Sequence, residues 1–177
     1  MSNFPKNFVV DTNVPKTANL AIAPGKIPQE LTKCVYSCVE AVEHIIKKGG
    51  LVMDSQDEIF DEYRGKLLMK GQPGVGDQFM KWVHDNRWKL PDCDRVKISR
   101  NGDTYDEFPT HAGLTNFDSS DRKFVAVANA HIKKPPILQA TDSKWWGWKE
   151  ALTDVGITVF FLCPDYVEAK YTEKMGA

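Results

Sequence analysis

No run of this sequence approaches the roughly 18 consecutive apolar residues that a membrane-crossing helix needs. The opening MSNFPKNFVV also lacks a basic segment followed by a long apolar stretch. These absences predict a cytoplasmic protein with no signal peptide and no membrane partner. Cysteine is sparse: Cys34, Cys38, Cys93 and Cys163 form no CxxC pair, and none stands near a histidine at zinc-finger spacing. Cys34 and Cys38 are four apart on a strongly periodic segment and read as small core residues. The Gly/Pro stretch Gly71–Gly76 lacks the GK[ST] ending of a phosphate-binding loop and reads as a turn. No GxGxxG follows the first apolar run, which argues against dinucleotide binding. No histidine, His84 and His111 included, has a nucleophile partner recognisable in sequence, so neither Ser/His/Asp nor Cys/His catalysis is expected. Excess charge is missing too. A formal net charge of −1 is too balanced for a protein that coats nucleic acid by charge alone.

What is present fits one domain spanning 1–177. The chain is 42% hydrophobic and 27% charged, enough to bury a core and keep a wet surface. Phe8-Val9-Val10 reads as a buried strand that stops at Asp11-Thr12-Asn13. Pro15, Pro24, Gly25 and Pro28 mark a loop. From Gln29 to Lys48, Leu31, Cys34, Val35, Cys38, Val39, Val42, Ile45 and Ile46 follow the helical period. Gly49-Gly50 ends that helix. Leu51-Val52-Met53 is a second strand, and Asp54 or Ser55 can cap a helix running to about Leu68. A further helix is expected from Asp77 to Trp88.

Residues 91–117 differ in character and read as an insert within the domain. Val96–Ser99 and Thr104–Phe108 flank Arg100-Asn101-Gly102-Asp103, and Asn-Gly between extended runs signals a β-hairpin. Pro109–Asn116 then reads as a loop. Asp118-Ser119-Ser120 can cap a helix through Phe124–Ala128, apolar nearly all round and therefore buried. Pro136–Ala140 is a strand ending at Thr141-Asp142. Trp145–Leu152 is helical, Gly156–Leu162 a strand, and Pro164–Lys170 a short last helix. Strands alternating with helices imply a mainly parallel sheet covered on both faces, a three-layer α/β/α arrangement.

Ligands of such sheets bind beyond the carboxyl ends of strands. Two strands here end in aspartates, Asp11 and Asp142. Asp118 and Asp121 open the buried helix. Asp118 sits where a cap would, whereas Asp121 lies past that position and is freer to face a site. In the helix after the second strand, Ile59, Phe60, Tyr63 and Leu67 define the apolar arc. Glu62 lies roughly 115° from its centre, and Glu58 and Asp61 roughly 145–155°. Glu62 is therefore the site candidate, with Glu58 and Asp118 as reserve acids.

In these motifs the sequence resembles the PIN-domain family. Val9–Val14 is similar to that family's opening strand, Glu58–Leu67 to its second acidic motif, Asp118–Ala128 to its third, Ala140–Ser143 to its fourth, and Gly156–Pro164 to its closing strand. The resemblance runs through nearly the whole chain in the right order. It implies a catalytic and metal-binding quartet of Asp11, Glu62, Asp121 and Asp142, holding Mg²⁺ or Mn²⁺. It implies a metal-dependent nuclease hydrolysing phosphodiester bonds, with RNA, single-stranded or structured, as the partner. It makes Asn13 and Thr141 substrate-orienting candidates. A toxin of a toxin–antitoxin pair, with an antitoxin or other protein inhibitor as partner, belongs to the same expectation, and a homodimer is compatible with it. Two features depart from the pattern: the insert is longer than in compact toxin-type members, and the fourth motif reads Thr-Asp-Ser.

Cations and flat groups flank the motifs. Arg122, Lys123 and Lys144 are candidates for binding substrate, with Lys16, Arg64 and Lys66 nearby. Trp145, Trp146 and Trp148 could stack on bases, but their spacing reads first as packing of a helix onto the sheet or insert. The rival within the same fold is a catalytically degenerate binding or regulatory module with the insert as its interaction surface. A phosphatase with an aspartate nucleophile is less well matched, because Asn13 stands where that chemistry needs a second acid.

Overall fold

The structure, a computed structural model, describes residues 3–70 and 73–176. Residues 71 and 72 of the expected Gly71–Gly76 turn lie outside the described residues. The chain is mixed α/β. In order it forms β1 (Val9–Val10), α1 (Asn13–Ala18), α2 (Thr32–Lys48), β2 (Met53–Asp54), α3 (Glu58–Lys66), α4 (Val75–Asn86) and β3 (Arg95–Val96). The hairpin strands β4 (Arg100–Asn101) and β5 (Thr104–Tyr105) follow, then α5 (Arg122–Ala130), β6 (Ile137–Gln139), α6 (Lys144–Asp154), β7 (Val159–Phe161) and α7 (Pro164–Lys174). No helix among the described residues is long and apolar enough to cross a membrane.

β1, β6 and β7 form a parallel sheet in the order β1-β6-β7, with Val9 opposite Ile137 and Ile137 opposite Val159. On the other side of β1, Phe8 bridges Leu51 in parallel, with Phe8 N donating to Gly50 O and Val52 N to Phe8 O. β2 pairs in parallel with β3. The strands therefore follow one another as β3-β2-β1-β6-β7. Phe8, Val9, Val10, Ile137 and Leu138 have no exposed surface. A strand covered on both faces needs such an unbroken apolar run rather than alternation.

The helices close over this sheet through their apolar stripes. In α2, Cys34, Val35, Cys38, Ala41, Val42 and Ile45 are buried at helical spacing while Lys47 and Lys48 end the last turn. Most of a helix's stability in a protein comes from packing such a face, so this buried stripe holds α2 in place. Asp54 caps α3 from outside the helix. Its carboxylate accepts from the backbone N–H of Gln56, Glu58 and Ile59 at 3.1, 2.8 and 2.9 Å. α5 is buried from Lys123 through Ala128 and packs on β1 and β6.

Several expectations are corrected. Pro15 lies inside a short helix, α1, rather than a loop. It occupies the first turn, where a missing N–H leaves no intrahelical bond unmade. α4 packs against α1 so closely that a Cβ at Gly76 would stand 1.9 Å from Pro15 O. The hairpin is shorter than expected and turns on two residues, Gly102 and Asp103. Asn101 faces Thr104, and Gly102 takes the left-handed φ of +65° that such turns require. Val96 belongs to β3 instead, because its backbone pairs with β2.

Cys34 is not a free core thiol. It forms a disulfide with Cys163, 129 residues away, with 5.2 Å between the Cα atoms. Cys38 stays a buried thiol, its pKa pushed up to about 12 by burial. Disulfides persist in oxidising surroundings, so in a reducing cytoplasm Cys34 and Cys163 would stand as two thiols.

Candidate metal centre

β1, which runs straight into Asp11, and β6, which ends at Gln139 three residues before Asp142, are direct neighbours and run in the same direction. Their carboxyl ends therefore deliver Asp11 and Asp142 to one edge of the sheet. The chain leaves β1 towards β2 on one side, and β6 lies on the other, so the strand order switches direction at β1 and a crevice opens there. Asp11 is locked in place: its N–H donates to Leu138 O at 3.1 Å and its Oδ1 accepts from Asn13 N–H at 2.8 Å. Directly behind it, the buried Tyr63 hydroxyl donates to Val10 O, which joins α3 to the end of β1.

The turn before α5 supplies the next acids. Asp118, Asp121 and Asp142 each present an oxygen within 4.8 Å of the others. Trp145 Nε1 donates to Asp121 Oδ2 at 3.3 Å, and Asp142 Oδ1 accepts from Lys144 N–H at 3.0 Å. Asp118, expected as a cap, makes no capping bond through its side chain, and its carboxylate pairs with Lys144 Nζ at 2.8 Å. Sequence pattern could not separate these roles, since a carboxylate just outside a helix suits both.

Glu62 approaches from α3. Thr12 Oγ1 donates to its Oε1 at 2.6 Å, and Lys123 Nζ donates both to its Oε2 and to Ser120 O. Lys123 is almost wholly buried, so the charge expected to meet substrate from the surface sits inside the wall of the site. Asp11, Thr12, Asn13, Lys16, Glu62 and Asp121, with Lys66 and Ser120, line a cleft of about 260 Å³. Three larger cavities, of about 270, 480 and 600 Å³, lie elsewhere; the 480 Å³ one also carries three acids, Glu30, Asp165 and Glu173, but all are exposed and Lys170 pairs with two of them. Chemistry rather than volume singles out the smaller cleft.

Electrostatics bear this out. Burial raises the Asp11 carboxyl well above its usual range, and Asp121, Glu62 and Asp142 push it in the same direction. Asp121 is raised to about 6 by burial and by Asp142, despite the hydrogen bond from Trp145. Carboxylates whose charge is this costly call for a cation. The donors are oxygens throughout, which suits a hard ion such as Mg²⁺ or Mn²⁺ and not a thiophilic one. Asp118, Asp121 and Asp142 could hold it directly, with Asp11 beside them.

Compared with family models, characterised proteins and solved structures, the chain matches none. The acids of the cleft, together with Asp118 and Asp142 beside it, therefore carry the functional argument alone.

The other candidates fall in different places. Asn13 lines the cleft, whereas Thr141 is half-buried beside Asp142. Arg122 faces the insert: its guanidinium donates to Phe117 O and Thr115 O and lies over the Phe108 ring. Glu58 bonds Arg100 and Tyr105 of the hairpin, and the Arg100 guanidinium holds its carboxyl below the usual range. Trp145 and Trp148 pack against Phe117, and Trp146 against Phe161. His131 Nε2 meets Asp94 at 2.9 Å, while its Nδ1 accepts from Lys133 N–H. With both ring nitrogens engaged, it has none left to activate Cys93. Thr12 and the inward turn of Lys123 were missed by sequence reasoning, since nothing in either residue's spacing marks it.

Proposed function

We propose that the protein is a metal-dependent nuclease of the PIN-domain type that hydrolyses phosphodiester bonds, with RNA as substrate. One observation carries the reading. Three carboxylates from two separate segments converge within 4.8 Å of one another, next to an Asp11 whose charge is made costly by burial and by two of them, Asp121 and Asp142. The strand order β3-β2-β1-β6-β7, with acids beyond the ends of β1 and β6, supports a three-layer α/β/α arrangement of that type.

A divalent cation bound there would supply an activated water and charge to stabilise the leaving oxygen. Asp118, Asp121 and Asp142, with Asp11, would bind that ion. Glu62 faces the cleft with lone pairs left over after bonding Thr12 and Lys123, so it can accept a hydrogen bond from a water and orient it. Lys16 and Lys66, also lining the cleft, can meet the phosphates that flank the broken bond.

The test is cleavage of labelled RNA and single-stranded DNA oligonucleotides with Mn²⁺ or Mg²⁺. Wild-type protein is expected to cut RNA only with metal. Asp121→Asn should slow cutting by about 100-fold or more, the loss of a few kcal/mol of transition-state stabilisation. Cleavage that persists in EDTA, or that survives in Asp121→Asn, would overturn the reading.

A further inference from the structure

Five carboxylates stand at the site, Asp11, Glu62, Asp118, Asp121 and Asp142, yet they are not equally served. Lys144 meets Asp118 from the exposed side. Lys123 meets Glu62 from inside, where the two side chains keep only 11% and 20% of their surface. Asp11, Asp121 and Asp142 have no ion pair among the described residues. The acids therefore divide into two groups. Asp118, Asp121 and Asp142 leave a gap between their oxygens that suits one ion. Glu62, outside that group, already has an ammonium and a hydroxyl on its two oxygens.

Lys123 is an unusual choice for this position. It sits in the first turn of α5, within a buried apolar helix, where a lysine must lose its hydration. That loss is offset because Glu62 and the Ser120 carbonyl accept from its Nζ. Against Glu62 the ammonium supplies the positive charge that a second ion bridged by that carboxylate would otherwise bring.

We propose that Lys123 stands in for a second divalent cation, so that the site binds a single metal ion. Lys123 is then a positioning residue. It neutralises Glu62 and holds it, with Thr12, as a hydrogen-bond acceptor facing the cleft rather than as a metal ligand. The inference rests on the metal-nuclease reading above, and it concerns how many ions the site takes.

Mn²⁺ titration followed by calorimetry and electron paramagnetic resonance tests it without any assay of activity. Wild-type protein should bind one Mn²⁺ per chain, with the signal of an isolated ion. Lys123→Met leaves Glu62 uncompensated and vacates the position. It should bind two, with the spin coupling of ions about 4 Å apart. The double variant Lys123→Met with Glu62→Gln removes both charges and should return to one. If Lys123→Met fails to fold, as judged by circular dichroism, Lys123→Gln can still donate to Ser120 O and carries the same expectation. Two coupled ions in the wild type would overturn the proposal while leaving the nuclease reading intact. One ion of unchanged affinity in every folded Lys123 variant would also overturn it. No Mn²⁺ bound by the wild type would overturn both.

Discussion

The hydroxyl of Thr12 donates to the carboxylate of Glu62 at 2.6 Å and so ties the residue after Asp11 to a helix fifty positions further on. Thr12→Val keeps the shape and removes the donor. It should destabilise the fold by about 1–3 kcal/mol, because a half-buried charged acceptor loses a partner. Chemical denaturation reads this directly. Thr12→Ser should recover most of the loss, and a valine variant as stable as wild type would remove the tie from the account.

The metal-free protein should become less stable as pH rises from about 4 to about 6. Asp121 has a folded pKa of about 6 against an ordinary value of 3.8, so between these limits the folded state holds more protons than the unfolded one. Asp11 is shifted in the same direction. Glu58 is shifted the opposite way by Arg100, so the diagnostic quantity is the difference between wild type and Asp121→Asn. The wild-type melting temperature should fall relative to the variant across this window. Adding Mn²⁺ at pH 7 should raise the wild-type value and leave the variant less affected.

Thiol chemistry should sort the four cysteines into three kinds. In the folded oxidised protein, Cys93 should react with a small disulfide reagent, since it is exposed. Cys38 should stay silent, since it is buried and its thiol is held protonated. Reduction, or Cys34→Ser, should cost roughly 2–4 kcal/mol because the bond closes a long loop. Mass spectrometry that finds Cys34 and Cys163 unlinked in protein purified without reductant would remove that bond from the structure.

Arg100→Ala should loosen the hairpin's hold on α3, leaving the Tyr105 hydroxyl as its bond to Glu58. The Arg100–Glu58 pair is largely exposed on the arginine side, so the change in global stability should stay under about 1 kcal/mol. Amide exchange should show the effect instead. Protection of the Ser99–Asp106 hydrogen bond should drop while that of β1 and β6 is unchanged.

Much of this architecture was legible from local pattern. Phe8–Val10 and Ile137–Gln139 announce themselves as buried strands, and Asp11 and Asp142 stand out because each closes such a run. That β1 and β6 are neighbours was not legible, since pairing across more than a hundred residues leaves no trace in either segment. The same holds for the Cys34–Cys163 bond, whose spacing matches no motif. Glu62 is singled out by its angle on α3 and does line the cleft, but the lysine that meets it has no such mark. Lys123 has the polarity of a surface residue, and only the position of α5 turns it inward. Pro15 misled by its type: a proline in the first turn of a helix looks in sequence like one in a loop.

The absent side chain at position 76 bears on the cleft from a distance. Gly76 lets α4 rest against the backbone of α1, and α1 begins at Asn13, whose N–H holds Asp11. Any larger residue at 76 would act as a wedge, prising the first short helix outward and loosening its grip on that aspartate. A position with no chemistry of its own thereby governs the aim of an acid in the cleft, and substitutions there should disturb that acid from a distance.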